Sequence, residues 1–182
     1  NKKGAISGGA NFDLGEGDGF EAATPEGQNL RIGSVKLAKN AWLDLTSGKN
    51  LTVRDITGTP FTTGAGADAI TNYNRVSLDA AKRLRVRSVK DVNLTVSGEN
   101  IRLSKSSTIP VLTVLTGGDF AKLSKFSIAK GTTVGELTVT TGRTLNPWSE
   151  GTVKEYNGFT ASKKITQKNY SEYLKEKPGD NT

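Results

Sequence analysis

Asn93-Leu94-Thr95-Val96 is the stretch on which the fold turns, because the same x-Leu-Thr-Val unit recurs at Asn50–Val53, Val111–Val114 and Glu136–Val139. Within each unit Leu and Val sit two positions apart, so in an extended strand they share one face and Thr takes the other. The units are 43, 18 and 25 residues apart. For coils of about 20 residues these intervals read as two turns, one turn and one turn, with Leu stacking on Leu and Val on Val. The prediction is an all-β chain wound as a parallel β-solenoid (β-helix). A β-sandwich or jelly roll is the alternative, since Thr and Val are ordinary strand residues and irregular intervals suit either architecture.

The same period of two extends outward from these units. Apolar pairs recur at Leu30/Ile32, Val35/Leu37, Leu43/Leu45, Leu51/Val53, Val76/Leu78, Leu84/Val86, Val92/Leu94/Val96, Ile101/Leu103, Leu112/Val114, Phe126/Ile128 and Leu137/Val139. Each reads as a short strand with one buried face. Gly48, Gly58, Gly98, Gly117-Gly118, Gly131 and Gly142 punctuate them where the chain must turn. Thr59–Asn74 breaks the pattern and reads as a loop leaving the stack. Three regions follow: a Gly-rich, acidic N-terminal segment or cap over 1–29, the solenoid over 30–145, and a C-terminal cap and tail over 146–182. In the tail Ile165, Tyr170, Tyr173 and Leu174 approach helical spacing and Pro178-Gly179 ends the run, predicting a helix that covers an open strand edge.

Composition removes several chemistries. The 182 residues contain no His, Cys or Met, so zinc, haem and iron–sulfur centres, Cys nucleophiles and Ser-His-Asp triads lack a required side chain. The carboxylates of Asp13–Glu21 are interleaved with Gly but match no calcium-loop spacing, and read as a solvated turn. No catalytic residue, cofactor or metal site is assigned, and the expectation is a non-enzymatic chain. No apolar run approaches the 18 or so residues that span a bilayer. A start at Asn1 and the lack of Met suggest a processed or excised piece of a longer protein, while the lack of Cys points to an exported setting, secreted or at a cell surface, with a virion as the alternative.

Charge is concentrated. Lys+Arg number 25 against 18 Asp+Glu, a net +7. Residues 75–105 carry Arg75, Lys82, Arg83, Arg85, Arg87, Lys90, Arg102 and Lys105 against Asp79, Asp91 and Glu99, a net +5. Alternation turns Leu84 and Val86 inward and Arg83, Arg85 and Arg87 outward, about 7 Å apart. Arg75, Lys90, Arg102 and Lys105 are placed on the same outer face. Such a ladder suits a polyanion, an anionic glycan or other cell-surface polymer. Beside that reading stands a plainer one, in which Lys and Arg fill outward strand positions for solubility. Specific nucleic-acid readout is disfavoured, because no aromatic residue lies between Tyr73 and Phe120 to stack bases.

Asn74-Arg-Val-Ser-Leu-Asp-Ala-Ala81 and Lys90-Asp-Val-Asn-Leu-Thr-Val-Ser-Gly98 resemble the coils of exported β-helical adhesins of the filamentous-haemagglutinin and autotransporter-passenger type, over about residues 30–142. The resemblance implies a surface-displayed stalk built for contact rather than turnover. The positive charge and the predicted terminal helix depart from that pattern, and fit equally a phage or virus fibre, spike or decoration protein, which would be a homotrimer. A third reading is an enzyme similar to the parallel β-helix polysaccharide lyases, which as a family use calcium-binding acids and a basic proton acceptor. Arg83, Arg85 and Arg87 would supply the base there.

Overall fold

The computed structural model describes residues 9–116, 124–141, 145–149 and 152–161. The helix expected near 165–174 lies outside the described residues. Among them the chain is all-β, with one 3-10 turn at Gly66–Asp68. The strands are β1 (Ala10–Leu14), β2 (Gly19–Thr24), β3 (Leu30–Leu37), β4 (Trp42–Ser47), β5 (Asn50–Thr57), β6 (Phe61–Thr63), β7 (Ile70–Asn72), β8 (Asn74–Lys90), β9 (Val92–Leu103), β10 (Thr108–Thr116), β11 (Ser124–Ile128), β12 (Thr133–Thr141), β13 (Leu145–Ser149) and β14 (Thr152–Ala161). Twelve of them make one sheet in which every pairing is parallel. Sandwiches and jelly rolls pair their strands antiparallel, so the sheet does not have that pattern.

The register explains the pairing. Phe20, Leu43, Val76, Leu94, Leu112 and Leu137 stand in one row on β2, β4, β8, β9, β10 and β12. Leu30, Leu51, Leu84, Ile101 and Phe126 stand in a second row on β3, β5, β8, β9 and β11. The long strands β8 and β9 serve both rows, and their register shifts between Ala80 and Arg83, where the chain bends from the first strip of sheet to the second. The chain returns to each row once per turn, an arrangement compatible with a β-solenoid. Every apolar pair picked out by its period of two, from Leu30/Ile32 to Leu137/Val139, is buried in a single core. Burying such side chains contributes about 1.5–3 kcal/mol each before chain entropy is set against it.

One expectation is corrected, and two segments gain detail. Asn93–Val96, Val111–Val114 and Glu136–Val139 do stack in register. Asn50–Val53 does not join them, because Leu51 pairs with Leu30 and Leu84 on the second strip. The 43-residue interval is therefore not two turns of one stack. The acidic N-terminal segment also extends the sheet: β1 pairs with β3 and β2 with β4, with Phe12, Leu14, Phe20 and Ala22 packed against the core. Finally, the loop at 59–74 is a small antiparallel hairpin, β6–β7, which pairs with no strand of the main sheet. No helix among the described residues is long and apolar enough to cross a membrane.

A candidate polyanion-binding face

On the second strip the inward side chains of β8 are Leu84 and Val86, so Arg83, Arg85 and Arg87 project into solvent. Parallel pairing then multiplies what one strand begins. Arg31, Thr52, Arg85, Arg102 and Ser127 form a single row across β3, β5, β8, β9 and β11. Asn50, Arg83 and Asn100 form the row before it. Arg54 stands beside Arg87 in the row after it, since the pairings Val53 with Val86 and Asp55 with Ser88 flank them. Neighbouring strands lie about 4.8 Å apart, so Arg85 and Arg102 are closer to each other than either is to the next outward residue of its own strand.

Three open depressions share this surface, and Arg85 lines all of them. The largest, about 470 Å³, lies among Arg31, Arg54, Arg85, Arg87 and Lys105. Gly33, on its edge, lets the neighbouring chain approach closely: a Cβ there would run into the Gly9 carbonyl and the Asn11 side chain. A second of about 270 Å³ sits between Arg83, Arg85 and Arg102, and a third of about 200 Å³ between Arg31, Arg83 and Arg85.

One carboxylate serves this face. Asp55 Oδ1 accepts a hydrogen bond from Ser88 Oγ at 2.6 Å and lies 3.8 Å from Arg87 Nε. Its Oδ2 accepts from Ser34 Oγ and from Arg54 Nε, each at 3.3 Å. Ser34, Asp55 and Ser88 are register partners, so the aspartate ties three strands together. Burial works against its ionisation, but the hydrogen bonds from Ser88, Arg54 and Ser34 and the Arg87 charge outweigh it, leaving the carboxyl below its ordinary 3.8. A depressed pKa stabilises the fold above the unfolded value and the gain is lost as pH falls through the folded one. Urea midpoints measured from pH 7 to pH 3 are thus expected to fall in acid for the parent chain. Asp55→Asn should lower the neutral midpoint and flatten that acid limb; an unchanged limb would show that Asp55 is not the group responsible.

The remaining cations have no such partner. Among the described residues Arg31, Arg83, Arg85, Arg102 and Lys105 make no ion pair. The structure brings together Arg83, Arg85, Arg87, Arg102 and Lys105 as the sequence suggested, and adds Arg31 and Arg54. It separates two others. Arg75 lies on the first strip, opposite Trp42 and Asn93, because β8 bends between it and Arg83. Lys90 is the last residue of β8, opposite Thr57 and beyond the buried Val89, and its Nζ lies 4.0 Å from Asp91. The acidic turn is occupied locally: Asp18 Oδ2 accepts from the Gly15 N–H at 2.9 Å and Glu16 pairs with Lys39 at 3.3 Å. Compared with family models, curated proteins and solved structures, the chain matches none.

Proposed function

We propose that this is a non-enzymatic, secreted or surface-displayed β-solenoid domain that holds an anionic polymer, such as a sulfated or acidic glycan, along its arginine strip. The supporting observation is the crowding of Arg31, Arg83, Arg85 and Arg102 with no carboxylate in ion-pair range among the described residues. Like charges directly opposite one another destabilise a sheet. Solubility needs no such crowding, because mixed and dispersed charge serves it better. A polymer carrying regularly spaced anions relieves the repulsion of several arginines at once and releases its counterions in doing so.

The virion reading, a trimeric fibre or spike, calls for an apolar outer surface to bury between subunits. Among the described residues only Ile70 and Leu115 are large, apolar and exposed, which favours the adhesion reading. The test is retention on immobilised heparin as a function of salt. Arg31→Ser, Arg85→Ser and Arg102→Ser together should abolish retention at 0.15 M salt and lower the slope of log affinity against log salt by roughly one per arginine. The thermal midpoint should hold or rise slightly, as three outward repulsive groups are removed. A variant retained like the parent would overturn the proposal.

A further inference from the structure

Among the described residues the turn that carries the hairpin is the longest. Leu51 lies opposite Leu84, 33 positions on, whereas Leu84 lies opposite Ile101, 17 positions on. The additional residues gather aromatic rings. Phe61 of β6 and Tyr73, just ahead of β8, meet Trp42 of β4 around an open depression of about 270 Å³ that Asn40, Asn74 and Arg75 complete. All three rings are only partly covered. The core does not need them, since Trp42 and Arg75 occupy outward positions and the hairpin lies off the main sheet.

The polar groups around the rings differ in how far they are committed. Trp42 lies over its register partner Gly19, where a Cβ would overlap the indole. The Arg75 guanidinium stands 5.7 Å from the indole centroid and makes no ion pair among the described residues. Asn40 is exposed at a corner with φ 60°. Asn74, by contrast, is buried and spends its amide on backbone groups. Lys39 Nζ stands 6.0 Å from the Phe61 centroid but is held by Glu16 at 3.3 Å. The site therefore offers aromatic surface, one cation without a carboxylate partner among the described residues and one available amide.

We propose that this depression binds one acidic pyranose unit of a glycan, a hexuronate. A pyranose presents a face of C–H groups and a rim of hydroxyls, which suits an aromatic wall with few polar groups. The ring carboxylate would meet Arg75 in a charge-assisted contact, and a hydroxyl would meet Asn40. The site stands apart from the arginine strip and does not rest on it.

The test is a titration of the full chain with a glucuronate-containing disaccharide and with its neutral glucose counterpart, read by the indole N–H signals in ¹H–¹⁵N spectra. Trp42→Phe assigns the Trp42 signal, and Trp148 is the internal reference. The Trp42 signal should shift with the acidic sugar at a Kd in roughly the millimolar range, and at least fivefold more weakly with the neutral one. Arg75→Gln should remove that preference, and Tyr73→Ala should weaken binding about tenfold. The Arg31→Ser/Arg85→Ser/Arg102→Ser variant should bind the disaccharide as the parent does. A silent Trp42 signal, equal responses to the two sugars, or loss of binding in the triple serine variant would overturn the assignment.

Discussion

Leu94→Asp is expected to abolish the folded domain. Leu94 is 1% exposed and stands in the middle of a row, between Val76 on β8 and Leu112 on β10. A carboxylate there would have no partner, and an uncompensated buried charge belongs to the class of substitutions that cost about 4–5 kcal/mol or more. That is comparable with the whole stability of an ordinary domain. Leu94→Ala separates the row from mere hydrophobicity: it leaves a cavity at a loss of about 2–5 kcal/mol, and should give a folded chain with a lowered urea midpoint. The far-UV circular dichroism of Leu94→Asp should lose its strand signal in water. A Leu94→Asp chain melting like the parent would show that the row does not face inward.

Asn74→Ala should be nearly as damaging, for a reason of hydrogen bonding rather than volume. Asn74 is 1% exposed. Its Nδ2 donates to the carbonyls of Ala38 at 2.6 Å and Ala41 at 2.9 Å, and its Oδ1 accepts from the Thr59 N–H at 2.8 Å. One side chain thus joins the turn before β4, the exit into the hairpin and the start of β8. The Ala38 carbonyl keeps a second partner in the Ala41 N–H, but the Ala41 carbonyl and the Thr59 N–H lose theirs. Losing the partner of one buried carbonyl and one part-buried N–H costs about 2–4 kcal/mol together. Asn74→Asp tests the donors separately: it keeps an acceptor for Thr59 but sets oxygen against two carbonyls, and should be at least as destabilising at pH 7. Denaturant midpoints of the two variants measure this, and near-parent values for both would remove Asn74 as the tie.

Period two was the legible part of the fold. It is a local property of each strand, so Leu30/Ile32 and Leu137/Val139 report their burial without reference to anything distant. Which strand lies over which is a different matter. Leu51/Val53 and Leu94/Val96 carry the same letters on different strips, because both strips bury the same kinds of side chain and the bend at Ala80–Arg83 leaves no residue pattern peculiar to itself. The site was legible to the same extent. Arg83, Arg85 and Arg87 follow from alternation along one strand, but Arg31 and Arg54 reach them only through register, from other turns of the chain. Arg75 shares a strand with Arg83 and is nonetheless carried away by the bend. In β1 and β2, Phe12/Leu14 and Phe20/Ala22 also alternate, and the Gly and acidic residues between them obscured it. Nothing in the sequence around Asn74 distinguishes a buried amide from the many exposed ones.

The hairpin has one more consequence, in the entropy of closing the chain on itself. Turns are completed over 33 positions where the hairpin is present and over 18 between Val76 and Leu94. Loop-closure entropy grows only with the logarithm of length, so the difference amounts to about half a kcal/mol. A coil can therefore gain a 15-residue excursion at almost no thermodynamic penalty, provided its two ends are pinned, here by Asn74 to Thr59. The corner between β5 and β8 is thus a natural place to graft a foreign loop: the rows on either side would still find their partners, and the graft would stand where Phe61 and Tyr73 now meet Trp42.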